Sequence, residues 1–306
     1  MLYFLKKQLK KNYYIYLISL FLYQKILISF YQKLIICIKF LSNYNRNKIF
    51  KSHPKEFAKI IIYKKEFFYP KYSTHYEKFL KTFEVKTKLN SDYNLIAKNF
   101  IEKEIDCILD VGACIGYQSL FYNEFFGNKV TIHCFEPHPI NFYFLKKNLS
   151  SFDNIKLHNF ALGNENKEDN MSIPLNKSHI LSNLGTLSIG QKSNIFKNKI
   201  QIKKFDLLSN SFLQFKKIYI KIDVEGYEDN VLNGMYNYLN NNPHIYLKIE
   251  INKDFNSLTK IKSTINFLEK MNYKFFLLKS DEFVKHDKLQ IMKSLIYKNE
   301  ELFCKK

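Results

Sequence analysis

Tryptophan is absent from this sequence, and glycine and proline are scarce, at eight and six of 306 residues. Tyr, Phe, Ile, Lys and Asn fill the space, a bias that an AT-rich coding sequence also produces, so lysine abundance alone says little about function. The five cysteines (Cys37, Cys107, Cys114, Cys134, Cys304) are odd in number and form no CxxC pair. That excludes a disulfide framework and a cysteine zinc site, and reads as reduced thiols in the cytosol. The eight histidines show no HxxxH or HExxH spacing, and no Gly-Lys-Ser/Thr occurs, so there is no P-loop. No apolar run reaches the ~20 residues a membrane-spanning helix needs. No small-residue cleavage site follows the first apolar run, so a signal peptide is not expected.

What is present is uneven. The chain is 46% hydrophobic, enough for one large core with a smaller appendage. Its formal charge is +20, but residues 1–65 hold fourteen Lys/Arg against one acid, Glu56. A basic segment attracts nucleic acid or anionic lipid. Here the charge is interleaved with apolar runs, Tyr13 to Tyr23 and Ile26 to Tyr31. At about 100° per residue, Lys7, Lys11, Lys25, Lys33 and Lys39 share one arc, which Ile18, Leu22 and Ile36 interrupt. Two readings of residues 1–41 stand together: an interfacial helix on an anionic membrane surface, and a helical extension packed on the core or on another subunit. The expected location is cytoplasmic, peripheral on the inner membrane face under the first reading. The expected division is a basic, aromatic extension and connector over 1–75 and a second domain over 76–306.

Within the second region, strand and helix alternate. Ser91 can cap a helix running to Glu104. Strands are expected at Ile105–Val111, Val130–Phe135, Ile155–Phe160, Ile218–Ile222 and Ile245–Ile251. Helices are expected over Tyr117–Phe126, Ile140–Leu149, Tyr227–Leu239 and Leu258–Met271. A long polar passage, 163–200, is expected to hold a hairpin near Met171–Ile173 and a mobile loop at 182–187. Ile200–Lys204 reads as a short edge element, and Phe205–Phe215 as a short helix. Tyr273–Leu278 and Leu289–Tyr297 read as a closing antiparallel pair. This order predicts an α/β fold, a largely parallel sheet with helices on both faces and the functional turns at one edge.

The chemistry-bearing residues fall at those turns. Strand one ends in Asp110-Val-Gly112-Ala113-Cys114-Ile-Gly116-Tyr117. Its glycines let a ligand approach the backbone, and the following helix offers free N–H groups. A dinucleotide fingerprint would need glycine at Cys114 and Tyr117, and has neither. Glu136 ends strand two, before Pro137, where an acid can accept hydrogen bonds from a ribose. These two features point to an adenosine cofactor. Asn159-Phe-Ala161-Leu-Gly163 ends strand three, where a base ring would lie. Strand four ends in Lys221-Ile-Asp223-Val-Glu225-Gly226-Tyr-Glu228. Two carboxylates two residues apart at a strand end can take a proton from a substrate hydroxyl or hold a divalent cation. Glu228 fits helix capping. Glu250 lies inside an apolar strand and needs a partner if buried.

The blocks DVGACIGY (110–117), FEPHP (135–139), NFALG (159–163), KIDVEGYE (221–228) and IEI (249–251) resemble, in that order, those of the FkbM family of S-adenosylmethionine-dependent methyltransferases. The resemblance covers about residues 90–255. It implies a class I methyltransferase fold, Rossmann-like, with a seven-stranded sheet whose last strand is antiparallel, and O-methylation of a hydroxyl on a sugar, glycan or other secondary metabolite. By the same resemblance Asp110, Gly112, Ala113, Gly116, Tyr117, Glu136, Pro137, Asn159 and Ala161 would bind the cofactor. Asp223, Glu225 and Glu250 would be the catalytic acids. Cys114 and His138 stand where the family commonly has Asn. The cofactor expected is S-adenosylmethionine, with a divalent cation optional and no metal ligand assigned; the expected partner is a small-molecule or glycan acceptor. A nucleic-acid methyltransferase fits poorly, because the strand-four turn is Asp-Val-Glu-Gly and its acids repel phosphates. A non-catalytic scaffold that keeps the fold is the other rival, and cofactor binding separates it from an enzyme.

Overall fold

The computed structural model describes residues 57–71, 80, 100–101, 105–176, 179–180, 195–280 and 282–306. The readings of residues 1–41, most of the helix expected over 91–104 and the loop at 182–187 lie outside them. The described residues belong to the compact unit Glu56–Lys306.

A hairpin, β1 (Phe57–Ile62) and β2 (Lys65–Pro70), comes first. Alternation follows: β3 (Cys107–Val111), α1 (Tyr117–Phe126), β4 (Thr131–Phe135), α2 (Pro139–Leu149) and β5 (Ile155–His158). The chain then leaves the main sheet through β6 (Ala161–Gly163), β7 (Lys167–Asn176), β8 (His179–Ile180) and β9 (Ile195–Lys204). It returns with β10 (Ile218–Ile222), α3 (Glu228–Gly234), α4 (Tyr236–Asn241), β11 (Ile245–Ile251) and α5 (Leu258–Lys270). It closes with β12 (Lys274–Lys279), β13 (Glu282–His286), α6 (Lys288–Tyr297) and β14 (Glu300–Lys305).

The main sheet runs β13-β12-β14-β11-β10-β3-β4-β5. The five strands from β11 to β5 are parallel, and β14 wedges antiparallel between β11 and β12. Strands β3 and β10 are buried at every residue. That is why their sequences are near-continuous apolar runs: helices cover both faces of a parallel sheet. Leu109 and Ile222 point into one core with Val231, Ile265 and Leu295. Ile108 points into the other, with Phe121, Phe144 and Leu149.

Four expectations are corrected. Among the described residues the main sheet has eight strands where seven were expected, because β13 folds back on β12 as an added edge. Leu289–Tyr297 is helical: Asp287 and Gln290 form a reciprocal capping box, and Ile291 and Leu295, four residues apart, turn inward. The closing strand is instead β14. The helix expected over Tyr227–Leu239 breaks at Met235, where the chain takes φ −104° and ψ 10°. Gly234 there lies so close to β6 that a Cβ would meet the Gly163 carbonyl at 1.9 Å. In the polar passage, the segments expected near Met171 and over Ile200–Lys204 belong to two ten-residue strands paired antiparallel, β7 with β9. Phe205–Phe215 forms two 3-10 turns rather than one helix.

The hairpin β1–β2 falls in the stretch read from sequence as connector. It packs on α2 through Asn148, whose Oδ1 accepts from the Phe68 N–H (2.7 Å) and whose Nδ2 donates to the Phe68 carbonyl (3.0 Å). The same Nδ2 also donates to the Ile115 carbonyl (2.8 Å), so one amide ties the hairpin to the turn after β3. Among the described residues, no helix is long and apolar enough to cross a membrane.

Candidate active site

The carboxyl ends of β5, β4, β3 and β10 are brought level by hydrogen bonds that continue the ladder past the strands. Glu136 N–H donates to the His158 carbonyl, Gly112 N–H to Phe135, and Asp223 N–H to Val111, each at 3.0 Å. The turn after β3 and the turn after β10 therefore start side by side. A Cβ on Gly112, whose φ is +85°, would lie 1.9 Å from the Asp223 carbonyl oxygen. Only glycine fits there, for both its conformation and that contact.

The β3 turn is held from below. Asp110 is fully buried, and its Oδ2 accepts from Ser119 Oγ of α1 at 2.5 Å. The Cys134 thiol of β4 donates to that same hydroxyl at 3.1 Å. Asp110 thus faces the protein and shapes the loop. Ala113 is buried and donates its N–H to the Phe135 carbonyl at 3.1 Å. Gly116, at φ +91°, begins α1 with no side-chain cap and no acid in the first turn. The first N–H groups of this helix can therefore receive the carboxylate of a ligand. Tyr117, half-buried, opens the helix.

Glu136 is buried between this loop and α2. Its Oε2 accepts from Cys114 N–H (2.9 Å) and its Oε1 from His138 N–H (2.8 Å). Burial pushes its carboxyl up to about 7, against the hydrogen bonds from His138, Cys114 and the Asn141 side chain. The two oxygens offer four lone-pair directions and three donors already use them, so one ribose hydroxyl is compatible with this geometry. The two departures from the family pattern differ in their local fit. Cys114 sits at φ +53°, a region Asn favours. His138 caps α2: its Nδ1 accepts from the Ile140 and Asn141 N–H groups at 3.2 and 3.3 Å, as an Asn side chain does. Burial pushes its imidazole down to about 4, leaving that lone pair free to accept.

Pro137 is half-buried, and Asn159 is exposed, its Nδ2 donating to the Glu136 carbonyl at 2.9 Å. Ala161 lies apart, in the small core of the second sheet with Met171, Ile200 and Ile202.

The acids of the β10 turn cluster. Burial first, then the charges of Asp223, Glu250 and Glu228, push Glu225 up to about 8. The Asp223 charge first, then burial, pushes Glu250 up to about 7. Asp223, Glu225 and Glu250 therefore stand within electrostatic reach of one another. Glu225 holds a left-handed backbone, φ +53°, which a side chain of this size adopts at a cost. Glu228 caps the turn, accepting from the Val224 and Gly226 N–H groups at 3.3 and 3.0 Å. Among the described residues, no group of three or more His, Cys, Asp or Glu is arranged to hold a metal ion.

Sequence reasoning passed over Lys221. It is buried, and its Nζ donates to the Gly112 carbonyl at 3.0 Å while lying 3.4 Å from Asp110 Oδ1 and 3.2 Å from Asp223 Oδ2. The signal was present: a single charge within Ile218-Tyr-Ile-Lys221-Ile222 needs a partner once that strand is buried.

The parallel strand order, with its antiparallel wedge between β11 and β12, is that of the class I S-adenosylmethionine-dependent methyltransferases, and the uncapped helix and Glu136 fit that cofactor. Residues 110–275 match the methyltransferase FkbM domain, and the chain belongs to that family. It is accordingly a methyltransferase whose family implies S-adenosylmethionine as the methyl donor. Similar solved structures include precorrin-6y C5,15-methyltransferase from Geobacter metallireducens GS-15, at 14% identity and a TM-score of 0.36, covering 72% of this chain and 87% of that one. Another is a SAM-dependent O-methyltransferase from Thermotoga maritima, at 10% identity and a TM-score of 0.35, covering 85% of this chain and 80% of that one. No curated protein matches the chain.

Proposed function

We propose that the chain is an O-methyltransferase acting on a hydroxyl of a sugar, glycan or other secondary metabolite. One observation carries this reading: Asp223 abuts the Gly112 turn, and Glu225 and Glu250, within electrostatic reach of it, have proton affinities raised toward neutrality. A hydroxyl is a weak nucleophile until its proton is taken, and a base works best when its pKa lies near the working pH.

When bound, S-adenosylmethionine supplies an electrophilic methyl on a cationic sulfur. The α1 N-terminus and the Gly112–Gly116 turn would hold its methionine end, and Glu136 its ribose. The acid cluster favours positive charge nearby and offers a carboxylate oxygen to the acceptor hydroxyl. Orientation supplies most of the acceleration in such a transfer.

The test is methyl transfer from labelled S-adenosylmethionine to a panel of hydroxyl acceptors, sugars first. Transfer to oxygen that is lost in Asp223→Ala, with cofactor binding retained, supports the reading. Transfer only to carbon or nitrogen, or full activity in that variant, overturns it.

A further inference from the structure

We propose that Lys221 is the positioning residue of this site: one ammonium holds the cofactor turn and the acid turn together and engages Asp223, so that the acceptor's proton goes to Glu225. The inference rests on the methyltransferase reading above and deepens it.

Strand register brings Lys221 into the site. In the β3–β10 pairing Lys221 lies opposite Asp110, the last acid before the cofactor turn. Its side chain is 6% exposed, and its Nζ meets three groups from two elements: the Gly112 carbonyl, Asp110 Oδ1 and Asp223 Oδ2. The buried Asp110 Oδ1 has no hydrogen-bond partner among the described residues, so its compensation is this charge. Burial pulls the Lys221 ammonium down, but the charges of Asp223 and Asp110 outweigh it and hold the group well above the ordinary lysine value. A permanent cation in this position does two things. It fixes the Gly112 carbonyl, and with it the loop that leads into the uncapped N-terminus of α1. It also commits an oxygen of Asp223 to an ion pair, which holds that oxygen against Lys221 rather than toward the acceptor hydroxyl.

Glu225 is placed differently. Two residues past Asp223, it is held half-buried in a left-handed backbone conformation among the like charges of Asp223, Glu250 and Glu228. Strain of this kind at a turn, next to a glycine at φ +93°, persists where the surrounding structure enforces it. In the step itself, the acceptor O–H bond breaks with its proton passing to a Glu225 oxygen. The acceptor oxygen bonds the methyl carbon, and the C–S electron pair remains on sulfur, leaving neutral S-adenosylhomocysteine.

The experiment uses the full chain without acceptor. S-adenosylhomocysteine binding is measured by calorimetry, and carboxyl titrations by carbon-13 NMR, in wild type, Lys221→Met, Asp223→Asn and Glu225→Gln. Lys221→Met is expected to weaken binding at least tenfold and to raise the Glu225 midpoint, since the Lys221 charge lowers it. Asp223→Asn is expected to lower that midpoint, and it serves as the test if Lys221→Met does not fold. Glu225→Gln should remove the highest carboxyl transition. Folded Lys221→Met that binds within twofold of wild type, an unmoved Glu225 midpoint in Asp223→Asn, or a highest transition that survives Glu225→Gln and disappears in Glu250→Gln would each overturn the proposal. Wild type that binds neither S-adenosylhomocysteine nor S-adenosylmethionine would instead overturn the methyltransferase reading on which it rests.

Discussion

The turn after β3 and the turn after β10 touch, yet they are built on opposite principles. In the β3 turn every buried carboxylate is answered by donors: Asp110 by Ser119 and Lys221, Glu136 by two main-chain N–H groups. The β10 turn gathers Asp223, Glu225 and Glu250, with the Lys221 ammonium against Asp223. The first arrangement fixes a shape. The second stores proton affinity, because like charges close together in a half-buried site hold each other's protons. A binding cradle and a base make these opposite demands, and Lys221 lies where they meet.

The contrast can be broken most severely at the contact between the turns. Gly112→Ala puts a methyl 1.9 Å from the Asp223 carbonyl and forces alanine to φ +85°; we expect a loss of ~3 kcal/mol or more and no detectable cofactor binding, read by thermal unfolding and calorimetry. Next in size is the base. Glu225→Gln should reduce methyl transfer ~10²–10⁴-fold while S-adenosylhomocysteine binding stays within a few-fold. In wild type the rate should climb as pH rises through about 8, the value at which Glu225 loses its proton, and this limb should vanish in the variant.

The cradle gives a smaller effect of its own. Glu136→Gln should weaken cofactor binding ~10–100-fold, the range for a hydrogen bond to a charged group. With Glu136 raised to about 7, wild-type affinity should tighten as pH rises through 7, because the ionised form offers its remaining lone pair to a ribose hydroxyl. Calorimetry across pH checks both. The smallest effect is expected at Cys114: replacing it with Asn suits φ +53° and should stabilise the fold by about 0.5–1 kcal/mol, seen as a higher Tm without loss of binding.

The central strands were legible because burial on both faces writes itself as an unbroken apolar run. Ile218–Ile222, Ile245–Ile251 and the helix Tyr117–Phe126 have the bounds that pattern indicates. The periphery was less legible. Leu289–Tyr297 carries apolar residues that suit a strand or a helix equally, and the capping box at Asp287 and Gln290 decided between them. The acids at 223, 225 and 250 stood out as charges ending or interrupting apolar runs. Lys221 did not disclose its role, because its Gly112 partner lies 109 residues away in sequence.

Local pattern, then, was enough to determine the parallel α/β order and the edge at which the chemistry-bearing turns gather, since strand and helix periodicities are properties of neighbouring residues. Tertiary structure alone decided that Asp110 turns inward, that Ala161 belongs to a second small core, and that one buried ammonium serves both turns. Those outcomes depend on register between strands distant in sequence and on the charges that register brings together, which local periodicity does not encode.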